Sequence, residues 1–132
     1  HFLAAHGTPV DRDPYMFSWE DALPYFPYVK EQGRNLCFFG HTHCPGIFSS
    51  DGMYTVDADS SFALGEDKVF FINPGSVGQP RDGDARLAYG LYDSEDDSFE
   101  LVRLEYPVET AAEKVVSSGL PNFLAERLFL GR

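Results

Sequence analysis

The sequence contains little cysteine and no long apolar run. Its two cysteines, Cys37 and Cys44, are too few for a scaffold held together by disulfides, and Cys37 lies in an apolar segment typical of a small core residue. No segment approaches the roughly 18 consecutive apolar residues by which a membrane-spanning helix is recognised. We therefore expect no membrane partner, and the composition favours a cytoplasmic location.

Basic residues are also scarce. The chain has 10 Lys and Arg against 21 Asp and Glu, which gives a formal net charge of −11. Affinity for extended nucleic acid depends on basic side chains that neutralise phosphates, so we expect no such partner. A small phosphate ester remains compatible with this charge, because divalent ions bound at a site dominate the local field.

Apolar and aromatic residues, in contrast, are plentiful. Hydrophobic residues make up 43% of the chain and aromatic residues 15%, which is enough for a packed core. The aromatic residues are densest in segment 15–28. We interpret this segment as core or homo-oligomer packing, with a substrate-stacking wall as the alternative.

Apolar periodicity and turn residues predict strands joined by hairpins, with a few helices. Ser18 begins a capping box for a helix that runs toward Glu31, and Pro24 and Pro27 should break or shorten it. The other predicted elements are strands 2–5, 35–39, 47–50, 53–56, 69–72, 87–92 and 99–106, and helices 108–117 and 121–131. This order predicts an α+β fold on a mostly antiparallel or mixed sheet with flanking helices. A single sheet of this kind leaves an apolar face uncovered unless a further layer packs on it.

Three of the four histidines lie in or next to strand-like segments that end at turns. Segment 40–43 reads Gly-His-Thr-His directly after an apolar run, and Cys-Pro-Gly follows it. His6 likewise follows an apolar run and precedes Gly7. Imidazole nitrogens bind Zn, Fe, Mn and similar divalent ions. Two strand ends that each present histidine to a loop predict one metal site built from two loops.

Two other kinds of metal site use the same residue types. A structural zinc site formed by His41, His43 and Cys44 lacks a fourth ligand at the usual spacing. A cupin-like site needs a carboxylate a few residues after the His-x-His pair, but the first glutamate after His43 is Glu66. The spacing therefore favours neither alternative.

Taken together, His6-Gly7, segment 40–43 and segment 72–81 (Ile-Asn-Pro-Gly-Ser-Val-Gly-Gln-Pro-Arg) resemble the calcineurin-like metallophosphoesterase superfamily. The likeness is strongest to its small bacterial and archaeal branch, which includes phosphodiesterases and relatives of diadenosine tetraphosphatases. The resemblance implies hydrolysis of phosphate mono- or diesters with two divalent metal ions. It leaves open whether the ions are Mn, Fe, Zn, Ni or Mg.

The resemblance also implies roles for individual residues. It assigns His6 and His41 to one metal ion and His43 to the other. It implies that Asn73, in a loop beside the site, binds substrate and that Arg81 faces substrate oxygens. The family's earlier motifs, Asp-x-His, Gly-Asp-x-x-Asp and Gly-Asn-His, supply a bridging carboxylate, an asparagine ligand and the catalytic histidine, and none of them occurs in these residues.

We therefore expect residues 1–132 to be the C-terminal portion of one domain, a four-layer α-β-β-α sandwich, with the catalytic residues in an N-terminal half. This chain alone should be inactive. The expected partner is a small phosphate-ester substrate. The alternative function is a non-catalytic scaffold or binding protein on the same fold, although a scaffold has little reason to keep three solvent-facing histidines.

Overall fold

The computed structural model describes residues 2–55, 57–65 and 67–132. Strands in two sheets pack with a few short helices that are grouped after the first strand and at the C-terminus, which confirms the predicted α+β class. The strands are β1 (Leu3–Ala4), β2 (Leu36–Phe38), β3 (Gly46–Ser49), β4 (Gly52–Tyr54), β5 (Ser61–Ala63), β6 (Phe70–Asn73), β7 (Leu87–Asp93) and β8 (Ser98–Leu104). The helices are α1 (Trp19–Ala22), α2 (Phe26–Glu31), α3 (Val108–Ser117) and α4 (Asn122–Leu130), and a 3₁₀ turn (Leu23–Tyr25) joins the first two.

Five strands form a mixed sheet in the order β1-β2-β6-β3-β4. Strands β1, β2 and β6 run parallel, whereas β3 and β4 run antiparallel to their neighbours. All four residues of β6 are buried, as expected for a central strand covered on both faces. Because β1, β2 and β6 are parallel, their carboxyl ends meet at one edge of the sheet.

The other three strands form a separate antiparallel sheet in the order β5-β8-β7. The predicted hairpin of β7 and β8 is present, with Leu87 opposite Leu104 and Asp93 opposite Ser98. Strand β5 was not predicted, because its three residues carry no apolar run. The predicted strand 53–56 ends at Tyr54, and its last residue lies outside the described part of the chain.

The helical segment after residue 18 begins and breaks as the sequence indicates. The Ser18 hydroxyl accepts the Asp21 amide at 3.3 Å, and the Asp21 carboxylate accepts the Ser18 amide at 3.0 Å, which completes a capping box. The backbone amides of Phe17 and Ser18 stabilise the charged carboxylate and so lower the pKa of Asp21. Two prolines then divide the segment into α1, the 3₁₀ turn and α2.

The mixed sheet separates two apolar clusters. On one face, α1 and α2 pack on it through Ala22, Phe26 and Val29. On the other face, the three-stranded sheet covers it through Phe99 and Leu101. The expectation of a single sheet with one uncovered face is therefore corrected, since the chain supplies its own second sheet. Part of that face still lines an open apolar groove of about 710 Å³ next to β1.

Helices α3 and α4 form a hairpin with a small apolar cluster of their own. They match the predicted helices closely, since α3 spans the predicted residues and α4 ends at Gly131 in the left-handed conformation. Among the residues that the structure describes, none of the helices has the length and apolar character needed to cross a bilayer.

Candidate metal centre

The three parallel strands bring the predicted site residues to one edge of the mixed sheet. His6 follows β1, segment 40–43 follows β2, and Asn73 ends β6. The Gly40 amide donates to the His6 carbonyl at 3.0 Å, which ties the first two loops together. The carboxyl edge of parallel strands is the usual place for a ligand site in such sheets.

His6 and His41 face each other directly. Their rings lie 4.5 Å apart, and His6 Nε2 is 2.8 Å from His41 Nδ1. His41 Nε2 lies 3.0 Å from the Asp13 carbonyl oxygen, which can only accept. The proton is therefore on His41 Nε2, and the lone pair of Nδ1 is directed toward His6.

His43 is oriented in the same manner by a different loop. Its Nδ1 lies 2.8 Å from the Gln79 carbonyl oxygen and must donate to it. This bond leaves the lone pair on Nε2, the atom that commonly binds metal when Nδ1–H is held by a carbonyl. The Arg81 amide donates to the His43 carbonyl at 3.2 Å and ties the two loops together.

The backbone at both histidines of segment 40–43 is left-handed. The φ angle is 67° at His41 and 59° at His43. This conformation costs residues with a Cβ about 1–2 kcal/mol each. Strain of this kind persists where the surroundings enforce it, and it is concentrated at functional sites.

Asn73 holds this strained segment from the neighbouring strand. Its side chain is buried, and its amide nitrogen donates to the Gly40 carbonyl at 3.2 Å and to the Thr42 hydroxyl at 2.8 Å. Its amide oxygen accepts the Gly75 amide at 2.9 Å. These contacts assign Asn73 to the organisation of the loop, and its predicted contact with substrate stays a prediction.

Arg81 lies close to His43 and is partly buried. Its Nη2 donates to the Gln79 side-chain oxygen at 3.0 Å. Its Nε is buried and has no hydrogen-bond partner within the described part of the chain. The guanidinium therefore keeps donor capacity, and its predicted contact with substrate oxygens stays a prediction.

Cys44 directly follows His43, but its thiol is directed to backbone carbonyls. Its thiol donates weakly to the carbonyls of Thr42 and Arg81, at 3.5 and 3.4 Å. Burial, with the nearby Asp82 carboxylate, raises the pKa of this thiol, which opposes the thiolate form that binds metal. Within residues 2–55, 57–65 and 67–132, no three His, Cys, Asp or Glu side chains converge on one point, so the structural zinc alternative gains no support.

The aromatic segment after residue 14 divides between the site and the core. Tyr15 stacks on His41 with 3.9 Å between ring centres and 11° between planes, and Phe17 lies parallel to Tyr15 at 5.3 Å. Both rings are exposed, whereas Phe26 is buried in the core and Trp19 packs against it. The interpretation of the whole segment as packing therefore holds only for its second part.

Sequence reasoning missed Gly7 as a determinant of the site. A Cβ at Gly7 would lie 2.6 Å from the carbonyl oxygens of Arg12 and Pro14. Glycine therefore lets segment 12–14 approach closely, and this segment carries the Asp13 carbonyl that orients His41. The only signal in the sequence was the Gly-Thr-Pro turn, which indicates a loop but not which segment packs against it.

The donors fit divalent transition-metal ions. His41 Nδ1 and His43 Nε2 carry lone pairs because the other nitrogen of each ring donates to a backbone carbonyl. Without an ion, the 2.8 Å contact between the His6 and His41 nitrogens is a hydrogen bond in which His6 Nε2 donates. Both nitrogens would hold one ion once His6 gives up this proton.

Known proteins with similar sequences and folds bear on this site. The sequence profile of the calcineurin-like phosphoesterase superfamily domain matches residues 1–97. The uncharacterized protein MJ0912 of Methanocaldococcus jannaschii is 45% identical over 115 residues, which cover 86% of this chain and 46% of that protein.

Solved structures share the fold. A metallophosphoesterase from Sphaerobacter thermophilus superposes with a TM-score of 0.91 at 29% identity, over 99% of this chain and 55% of that one. The hypothetical protein PH1004 from Pyrococcus horikoshii superposes with a TM-score of 0.72 at 17% identity, over 99% and 46% of the two chains, and shows the fold alone. The chain thus spans about half the length of the proteins that it matches. By its sequence profile and its fold, it belongs to the calcineurin-like phosphoesterase superfamily.

Proposed function

We propose that this chain contributes part of the active site of a metal-dependent hydrolase of small phosphate mono- or diesters. The observation that carries the proposal is the pair of oriented imidazoles in segment 40–43, each with one nitrogen fixed by a backbone carbonyl and a lone pair on the other. Family membership supports phosphoester hydrolysis in general. Two divalent ions would activate water and neutralise charge on the phosphate.

The proposed ligands divide into two groups according to their contacts. His6 and His41 face each other and would hold one ion. His43 is turned toward loop 79–81 and would help to hold the other. As neutral ligands, imidazoles leave the full positive charge of the ions available to the substrate.

Arg81 would bind the phosphate beside His43. A guanidinium offers several N–H donors in a fork that matches phosphate, and the donors beyond the buried Nε would make this contact. A guanidinium next to the site would also offset part of the net charge of −11, which otherwise repels an anionic ester.

Because the chain spans about half the length of its relatives, we propose that carboxylate ligands and the catalytic histidine come from residues outside these 132. Their absence from the gene product would favour the alternative, a scaffold that keeps the fold without turnover.

Metal content and turnover of the full-length gene product test this function. Native mass spectrometry should find two divalent ions per chain, and bis-(p-nitrophenyl) phosphate or p-nitrophenyl phosphate should be hydrolysed. His41→Ala and His43→Ala should each lose one ion and at least about 100-fold in turnover, which exceeds the effect typical of residues behind the ligands. Gln32→Ala is the matched control, because Gln32 is exposed and precedes β2 at the opposite edge of the sheet. Unchanged metal content and turnover in both histidine variants would refute the proposal.

A further inference from the structure

The two imidazoles of segment 40–43 contact different loops. His41 contacts His6, Asp13 and Tyr15, all before residue 16 in the chain. His43 contacts the Gln79 carbonyl, and its own carbonyl accepts the amide of residue 81. In an extended strand, residues i and i+2 point to the same face. The two histidines are spaced in this way, so an extended backbone would direct both toward one side and one ion.

The left-handed backbone at both positions separates them. With φ near 60° at His41 and at His43, the chain departs twice from the strand conformation within three residues. Neither residue is glycine, so the conformation is unfavourable on its own and must be imposed by contacts. Thr42, which lies between the two histidines, makes contacts of this kind.

Thr42 is the fixed point of the segment. It is 1% exposed, and its hydroxyl accepts the Asn73 amide nitrogen at 2.8 Å and the Cys44 amide at 3.2 Å. Its own amide donates to the Gly40 carbonyl at 2.7 Å. The bond to Asn73 is the buried side-chain bond that joins the segment to the adjacent strand.

The Asn73 side chain is held in place by its other contacts. It is also 1% exposed, and both of its donors and its oxygen are already paired. The orientation of the amide is settled, because the Gly40 carbonyl can only accept and the Gly75 amide can only donate. Strand β6 therefore fixes both the start and the middle of the segment from one buried side chain.

We propose that the Thr42–Asn73 hydrogen bond is a positioning device that divides the two histidines between two metal ions. Thr42 and Asn73 are both buried and act here through the backbone of the segment. They keep the backbone left-handed at His41 and His43 and thereby prevent both imidazoles from binding one ion. This inference rests on the proposed function for its metals, but the separation of the side chains is a property of the chain itself.

The test compares Thr42→Val with Thr42→Ser in the full-length gene product. Valine keeps the shape of the buried side chain and removes the acceptor, whereas serine keeps the hydroxyl. With Mn²⁺ as the probe, calorimetry and native mass spectrometry should find two ions in the wild type and in Thr42→Ser. In Thr42→Val one of the two sites should weaken by about 10–100-fold, as is typical when a residue behind the ligands is lost. Circular dichroism checks the fold, and Thr42→Ala replaces Thr42→Val if the latter does not fold.

A metal-free measurement separates this inference from the proposed function. Nitrogen chemical shifts of the imidazoles report which ring nitrogen carries the proton. The wild type and Thr42→Ser should show Nδ1–H at His43, and Thr42→Val should show a mixture of tautomers. A folded Thr42→Val protein that binds both ions normally and keeps the His43 tautomer would overturn the inference. A wild type with fewer than two ions would overturn the two-metal function. The His43 tautomer in Thr42→Val would then be the measurement that tests whether the Thr42–Asn73 bond positions the histidines.

Discussion

Substitution of Gly7 by alanine should disturb the site through the backbone. The added Cβ would lie 2.6 Å from the carbonyl oxygens of Arg12 and Pro14. A carbon–oxygen contact normally needs about 3.3 Å or more, so segment 12–14 must move by about 0.7 Å. The Asp13 carbonyl oxygen, now 3.0 Å from His41 Nε2, would move beyond hydrogen-bonding distance if it moves away by that amount.

Two effects follow from this displacement. Forcing an extra methyl group into a packed position costs about 1–3 kcal/mol of unfolding free energy. If His41 is a metal ligand as proposed, loss of the carbonyl that orients it should weaken metal binding by about 10–100-fold. Gly7 does not have a positive φ, so neither effect comes from backbone strain at the substituted residue.

Urea denaturation and Mn²⁺ calorimetry measure both effects, and Gly78→Ala is the control. A Cβ at Gly78 meets nothing within 4 Å, and this glycine lies in the loop that follows Asn73. Gly78→Ala should be neutral or stabilise the fold by less than about 1 kcal/mol, since alanine restricts the unfolded chain. The reasoning fails if Gly7→Ala unfolds with the same free energy as Gly78→Ala and binds Mn²⁺ as tightly as the wild type.

Further predictions concern the core and the helix ends. Burial raises the pKa of the Cys37 thiol to about 12 from 9.0. Above pH 9 the unfolded chain therefore releases a proton that the folded chain keeps, so the free energy of unfolding falls as pH rises. Urea titrations at pH 8 to 11 should show a smaller alkaline loss of stability in Cys37→Ala. Gly131→Ala should lower the melting temperature more than Gly119→Ala, because both have positive φ but only a Cβ at Gly131 would meet the Asp84 backbone, at 2.6 Å. Equal melting temperatures would show that this contact relaxes freely. Trp19→Phe removes the indole donor to the last carbonyl of β3, 2.7 Å away, and should cost about 1 kcal/mol in denaturant unfolding.

The apolar strands and the C-terminal helices were predictable from the sequence. Strands β2 and β6 appear as compact apolar runs, and β7 and β8 as longer runs on either side of an acidic turn. Strand β5 was not predictable, because its sequence Ser-Phe-Ala has no period and its pairing with β8 is a tertiary contact. The division into two sheets likewise depends on long-range packing, which a local pattern does not contain.

The site was predictable in its residue types and not in its organisation. The histidines were recognisable as candidate metal ligands by their residue type and by the turns around them. The groups that orient them are the backbone carbonyls of Asp13 and Gln79, and a carbonyl is present at every residue, so nothing in the sequence marks these two. Asn73 was visible as a loop residue, but only the structure shows that it is buried and holds Thr42.

Strand β1 pairs with β2 over only two residues at the edge of the mixed sheet. Amide protons on so short an edge strand should exchange with solvent faster than those of the buried β6, since local opening there breaks few contacts. His6 belongs to this weakly protected end, while His41 belongs to the segment fixed by β6. An ion bound by both histidines would therefore link the end of β1 to segment 40–43. Its binding free energy would be added to the docking of β1, so occupancy of the site and protection of the first strand would rise together.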